Sequence, residues 1–283
     1  MTDILVRKHF TTLASFASSN VVVAFDFDGT LAPLVSRPER ARMRLRTRSL
    51  LASVARRYPC VVISGRALAD LAPRIGRIPV WHLSGNHGVE PWEPRAAFAA
   101  RVRRWVKALK PRLDRYPGIV IENKRFSLTV HYRRALHRQQ ALAAILDAVG
   151  TLAEARAISG EMAVSVLPRE APGKGAALER VRRALACDKV IYVGDDETDE
   201  EAFAAAAPES LLAIRVGMAA RSRARYRLKN QRHIDAFLEA LLECRLVGRR
   251  ASARVGNLSN TSRRRLSARS SASRGAWESP VTT

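Results

Sequence analysis

The sequence predicts an α/β protein, a parallel sheet flanked by helices and interrupted by a smaller α+β insertion. Three observations carry that expectation. Short apolar runs at Val21–Phe25, Cys60–Ile63 and Val190–Val193 each end in polar or acidic residues, as strands buried on both faces do. Segments of helical period separate such runs. Between about residues 89 and 168 the strand–helix rhythm changes to helix, two strands, helix, two strands, which marks an inserted unit.

At the N-terminus, Ile4 to Ala17 reads as a short amphipathic helix, because Arg7, Lys8 and His9 interrupt any signal-like apolar stretch. The first strand, Val21–Phe25, runs into Asp26 and Asp28, and Gly29, Thr30 and Pro33 end it in a turn. Both carboxylates therefore lie at the carboxyl edge of the sheet, where open α/β folds bind ligands. Their spacing of two points them the same way, close enough to share a divalent cation. Phosphoryl transfer through a carboxylate nucleophile needs such a pair: one acid attacks phosphorus, and the other protonates the leaving oxygen and then activates water.

Residues 45–57 have helical period, with Leu45, Leu50, Leu51, Val54 and Ala55 on one face. The second strand, Cys60–Ile63, ends in Ser64-Gly65-Arg66, which offers a hydroxyl and a guanidinium to phosphate oxygens. A short strand from Trp81 enters the loop Gly85-Asn86-His87-Gly88, and His87 there is a candidate ligand. The insertion follows as a helix at 95–114, strands at 119–122 and 126–132, a helix at 137–149, and strands at 156–159 and 162–166. Glu122, Lys124, Arg133 and Glu161 sit at its strand ends, and two acids with two bases suit the vicinal hydroxyls of a sugar. Trp92, Trp105 and the strand residue His131 fit packing better than binding.

Pro172-Gly173-Lys174-Gly175 opens a helix and places Lys174 at its positive N-terminus, beside the strand ends. The strand Lys189–Gly194 then runs into Asp195, Asp196, Glu197 and Asp199, four acids within five residues of a protein otherwise short of them. Such crowding calls for a cation, with Asp195 the expected ligand and Asp196 and Asp199 in or behind the coordination sphere. A strand at 211–217 and a helix at about 231–243 complete the core.

The chain has 283 residues, is 47% apolar and carries a net charge of +23. From Arg245 onward there are nine arginines against the single acid Glu278, so about a third of the excess lies in the last stretch. Residues 246–283 read as a solvated, disordered extension, and without a nucleic-acid-binding motif nucleic acid is not an expected partner. Cys60, Cys187 and Cys244 are far apart with no paired motif, which fits a reducing, cytoplasmic setting. No apolar run reaches membrane-spanning length.

Asp26-Phe27-Asp28-Gly29-Thr30, Ser64, Lys174 and Gly194-Asp195-Asp196 resemble the four motifs of haloacid-dehalogenase-like phosphatases, in the usual order. With Gly85–Gly88, Glu122-Asn123-Lys124, Ser127-Leu128, His131-Tyr132-Arg133 and Glu161 added, residues 10 to 243 are similar to trehalose-6-phosphate phosphatases. That resemblance implies a Rossmann-like core made of residues 1–88 and 169–245, with a C2-type cap at 89–168 acting as a substrate lid. It also implies Mg2+-dependent hydrolysis of trehalose 6-phosphate to trehalose and phosphate. Asp26 would be the nucleophile and Asp28 the acid/base. Asp26, Asp28 through its main-chain oxygen, and Asp195 would hold Mg2+, with Asp196 and Asp199 in support. Ser64 and Lys174 would hold the phosphate, and Glu122, Lys124 and Glu161 the disaccharide. Thr30, Arg66, His87 and Arg133 complete the substrate-binding set, and a monomer is expected. Two alternatives stand beside this reading. One is a phosphatase for sucrose 6-phosphate, mannosylglycerate phosphate or glucosylglycerol phosphate. The other is a non-catalytic scaffold that binds nucleic acid through its basic tail.

Overall fold

The computed structural model describes residues 1–245. Seven parallel strands form the main sheet: β1 (Thr2–Asp3), β2 (Val21–Phe25), β3 (Cys60–Ile63), β4 (His82–Ser84), β9 (Lys189–Gly194), β10 (Leu211–Val216) and β11 (Tyr226–Leu228). Their spatial order is β1-β11-β10-β9-β2-β3-β4. The run Val21–Phe25 shows why the sheet is central. Val21, Val23 and Phe25 enter one apolar cluster while Val22 and Ala24 enter another, on the opposite face. On the first face lie α1 (Phe10–Ser18), α2 (Leu45–Ala55), α3 (Leu68–Ile75) and the helix α8 at residues 234–245. On the second lie α6 (Lys174–Ala184) and the short α7 (Glu200–Phe203). Each fully buried Val, Leu, Ile or Phe contributes about 1.5–3 kcal/mol.

The insertion forms a four-stranded antiparallel sheet in the order β5-β6-β8-β7, from β5 (Val120–Asn123), β6 (Leu128–His131), β7 (Ala155–Gly160) and β8 (Ala163–Pro168). Its helices α4 (Ala96–Leu113) and α5 (Arg138–Gly150) cover one face. There Val102, Trp105, Leu109, Ile145 and Val149 pack on Leu128, Val130, Val164 and Val166. The residues that alternate with these, Thr129, His131, Ala163 and Ser165, line a cleft between the two sheets. A small apolar cluster of Val89, Phe98, Phe126, Leu167 and Ala171 fills the junction where the chain passes between them.

The N-terminus differs from the expected helix over Ile4 to Ala17. Thr2–Asp3 instead extends the main sheet by pairing with Tyr226 and Arg227, Ile4 is buried in the core, and α1 begins at Phe10. The pairing partner lies more than 220 residues away, so local period could not reveal it. Helix α3 and strand β11 are likewise additions to the sequence reading. Among the described residues no helix is long and apolar enough to cross a membrane. The disordered extension expected at 246–283 lies outside the described residues.

Candidate active site

The carboxyl ends of β2, β3 and β9 meet at the floor of a cleft of about 280 Å³, and the polar face of the four-stranded sheet forms its roof. Asp26, Asp28, Ser64, Arg66, His87, Lys174, Asp195 and Asp196 line it from the main-sheet side. Glu122, Lys124, Arg133 and Glu161 line it from the other. Thr30 and Asp199, also expected in the site, lie just behind the lining, and each bonds to a residue that forms it.

Lys174 is the centre of the floor. Its ammonium is buried and donates to Asp26 Oδ1 and Asp199 Oδ1, both at 2.8 Å. Asp199 is saturated, since Tyr192 donates its hydroxyl to Oδ1 at 2.6 Å and the main-chain N–H groups of Asp195 and Asp196 donate to Oδ2 at 3.0 Å. Burial raises the Asp26 carboxyl to about 7, with repulsion from Asp199 and Asp28 adding to it and Lys174 opposing it. Burial followed by repulsion from Asp26 raises Asp195 well above the carboxylate range. Burial works against the Lys174 ammonium, but Asp199 and Asp26 outweigh it and hold the charge firmly.

Oxygens of Asp26, Asp195 and Asp199 lie within 4.8 Å of one another. Two buried acids and the half-buried Asp195 against one lysine leave negative charge in excess, and an all-oxygen donor set suits a hard divalent cation. Because Asp199 is committed elsewhere, Asp26 and Asp195 are the carboxylates with coordinating capacity to spare. Asp195 is aimed by Thr30, whose hydroxyl donates to Oδ1 at 3.0 Å. Gly29, at φ +81°, lets the turn pass so close that a Cβ there would lie 1.9 Å from Asp195 Oδ2. Of the other residues expected at the metal, Asp196 and the Asp28 side chain stand outside this triad of carboxylates, while the contact expected of Asp28 is through its main-chain oxygen. The Asp28 carboxylate is taken by Arg66, and Asp196 accepts from Glu197 N at 2.8 Å as the cap of a short 3-10 turn.

Arg66, expected to contact phosphate, lines the cleft with its guanidinium held by its neighbours. Its Nε and Nη2 donate to the two oxygens of Asp28 at 2.6 and 2.7 Å, Nη1 donates to Asp70 Oδ2 at 2.5 Å, and Nη2 donates to Pro38 O at 2.8 Å. With four bonds made, the guanidinium serves to aim the Asp28 carboxylate. Asp70, on a helix the sequence reading did not contain, is the residue that fixes this geometry.

On the roof, Glu122 Oε2 accepts from His131 Nε2 at 2.8 Å and lies 3.6 Å from Lys124 Nζ. Burial works against the Glu122 charge, but the His131 bond and Lys124 prevail and hold the carboxyl down at about 2. His131 thus faces the cleft and does not pack in the core. The apolar partners in β6, Leu128 and Val130, turn to the helices, and His131 alternates with them onto the other face. His87 is buried, with a φ of 58°, and neither ring nitrogen has a partner among the described residues. Burial, followed by the charges of Lys174, Lys124 and Arg156, keeps its imidazole neutral well below the usual range.

A family model described as trehalose-phosphatase matches residues 24–232, which takes in every floor and roof residue named above. The chain belongs to the trehalose-phosphatase family. Among relatives, it is 36% identical over 202 residues to a trehalose-phosphate phosphatase of Mycolicibacterium paratuberculosis, covering 66% of this chain and 51% of that protein. It is 34% identical over 204 residues to one of Mycobacterium tuberculosis, covering 67% and 52%. The chain thus spans about half the length of these mycobacterial relatives. Among solved structures, the C-terminal domain of the C. albicans trehalose-6-phosphate phosphatase superposes with a TM-score of 0.70 at 23% identity, covering 87% of this chain and 99% of that one. The Aspergillus fumigatus trehalose-6-phosphate phosphatase gives 0.56 at 27% identity, covering 85% and 98%. A sucrose-phosphatase from Synechocystis shares the fold, at 16% identity and a TM-score of 0.53 over 80% of this chain and 98% of that one. These structures share the Rossmann-like α/β core seen here.

Proposed function

We propose that the protein hydrolyses trehalose 6-phosphate to trehalose and phosphate with Mg2+ as cofactor. One observation carries this reading: Asp26, Asp28, Ser64 and Lys174 face Glu122, Lys124, Arg133 and Glu161 across one cleft. An Asp26 carboxylate oxygen attacks phosphorus, the bond from phosphorus to the sugar oxygen breaks, and Asp28 delivers a proton to that oxygen. Water then gives its proton to Asp28 and attacks the aspartyl-phosphate, the bond from phosphorus to Asp26 breaks, and phosphate leaves. Ser64 and Lys174 hold the phosphoryl oxygens through this exchange, and Arg66 keeps Asp28 aimed at the leaving oxygen. Asp26 and Asp195, with Asp199 behind them, would hold Mg2+, which when bound would supply charge neutralisation between carboxylate and phosphate. Glu122, Lys124, Arg133 and Glu161 take the disaccharide hydroxyls, with His131 holding Glu122 ionised.

The four-stranded sheet acts as a lid over the floor. Its closed position is supported by Arg133 Nη1 donating to Val35 O at 2.7 Å and by an ion pair between Arg156 and Glu201. The test is phosphate release with Mg2+ from trehalose 6-phosphate, sucrose 6-phosphate, glucose 6-phosphate and a small aryl phosphate. Marked preference for trehalose 6-phosphate, lost in Asp26→Asn, is the expected result. Equal activity on all four would remove the sugar assignment. Normal turnover by Asp26→Asn would remove the nucleophile.

A further inference from the structure

The loop Gly85-Asn86-His87-Gly88 contains a side chain that none of the chemistry above uses. Asn86 is fully buried, and its backbone is left-handed at φ 50°, a conformation Asn tolerates better than other residues with a side chain. One end of its reach is the floor: its N–H donates to Arg66 O at 2.7 Å, and its Nδ2 donates to Glu90 Oε2 at 2.6 Å. Glu90 Oε2 also accepts from Leu68 N, at 2.7 Å, so this end is anchored on the first turn of α3. The other end is the roof: Nδ2 donates to Lys124 O at 3.1 Å, and Oδ1 accepts from the buried hydroxyl of Ser127. Lys124 and Ser127 close the turn between β5 and β6, where Lys124 N donates to Ser127 O at 2.9 Å. A single amide therefore ties the turn that carries Lys124, and with it Glu122 at the end of β5, to the loop that carries Arg66.

We infer that Asn86 is a positioning residue that sets the register of the sugar-gripping sheet on the phosphate site. The inference rests on the proposed sugar-phosphatase reading and adds to it the residue that decides where Lys124 and Glu122 stand. The geometry needs two donors and one acceptor on a short side chain. Aspartate would lose both donors and set a second carboxylate against Glu90. Burial makes each unmade bond costly, so the turn has one well-defined place. Because these bonds reach the roof and not the reacting atoms, their loss falls on recognition of the sugar and spares phosphoryl transfer itself.

The experiment uses the full chain with Asn86→Gly, which keeps the left-handed backbone and removes all the side-chain bonds, and Ser127→Ala, which removes one. KM and kcat are measured on trehalose 6-phosphate and on a small aryl phosphate that does not reach the roof. For Asn86→Gly, KM on the sugar phosphate rises about tenfold or more while kcat/KM on the aryl ester stays at the wild-type value. Ser127→Ala moves in the same direction by less. A parallel loss on both substrates, or no change on either, overturns the inference. Amide hydrogen exchange gives a second reading without turnover: in Asn86→Gly, exchange speeds up across residues 120–131 while 21–25 and 189–194 keep their protection. Unchanged exchange at 120–131 overturns the inference whatever the substrate proves to be. A wild type without preference for the sugar phosphate would instead sink the functional reading alone.

Discussion

Replacing Lys174 by Met removes the ammonium and nearly preserves side-chain volume, so the change isolates charge from packing. In the wild type that ammonium is 2% exposed and donates at 2.8 Å to each of two buried carboxylates. Breaking one buried pair by deleting a partner costs about 3–5 kcal/mol. Asp199 keeps three donors, Tyr192 and two main-chain N–H groups, so the loss falls mostly on Asp26. The expected destabilisation is therefore about 3–5 kcal/mol for the pair of contacts together, a large share of the 5–15 kcal/mol that holds most domains folded. Urea unfolding in a chelator at about pH 8 measures it, read at constant m-value. The pH dependence has a definite sign. Lys174 is the group that holds Asp26 down, so without it the folded-state value rises above about 7, further from the unfolded carboxyl. The folded variant then binds a proton that the unfolded chain has lost, and its stability falls as pH rises from the unfolded value toward the folded one. The deficit is thus greatest at about pH 8 and shrinks toward about pH 5. Adding Mg2+ restores positive charge and returns about 2.7 kcal/mol at a hundredfold excess over its dissociation constant. A variant with the wild-type urea midpoint at the higher pH, chelator present, would refute the account of Lys174 as the counter-charge of the floor.

Three further outcomes follow from the same geometry. Arg66→Ala leaves Asp28 without its two-point partner, so hydrolysis of the sugar ester should fall on the order of a hundredfold, the scale of general acid catalysis. An aryl ester, whose leaving group departs without a proton, should lose far less, and equal losses on both esters would show that Arg66 does not aim Asp28. Gly29→Ala combines a left-handed φ of +81° with a Cβ 1.9 Å from Asp195 Oδ2, and should raise the Mg2+ concentration for half-activation at least about tenfold; an unchanged metal requirement would contradict the role given to Asp195. Because burial raises the Asp26 carboxyl to about 7 and lifts Asp195 well above its ordinary range, metal binding must release protons from both, so apparent affinity rises with pH through about 7. Calorimetry at about pH 6 in buffers of different ionisation heat should show that release, and heats independent of buffer would refute it.

Much of the fold was legible because its strands are buried on both faces and so are written as apolar runs. Val21–Phe25 and Lys189–Gly194 needed no partner to be recognised. The shortest strands at one end of the sheet were not legible. Thr2–Asp3 and Tyr226–Leu228 are two and three residues long, and they become strands only by pairing with distant segments, Thr2–Asp3 with Tyr226–Arg227 and Tyr226–Leu228 also with Ile214–Val216. His131 was misjudged for a related reason. Alternation shows that a residue differs from its neighbours in the side it faces, but it does not say which side is core. In β6 the apolar side faces α4 and α5, and the polar side became a cleft wall only because a second sheet lies opposite.

The acids after β9 show the limit most directly. In sequence, Asp195, Asp196 and Asp199 are alike, three carboxylates at a strand end beside a helix N-terminus. In the structure they do three different things, and each job is fixed by a donor. Thr30, 165 residues earlier in the chain, turns Asp195 toward the open floor. The N–H of Glu197 makes Asp196 a cap. Lys174 and Tyr192, with two main-chain N–H groups, use up Asp199 and make it the support that holds the lysine against Asp26. The presence of a site could be read from the density of carboxylates, because burying so many demands a cation. Which carboxylate coordinates, which caps and which positions depends on donors supplied by other segments, and those become neighbours only when the sheet assembles.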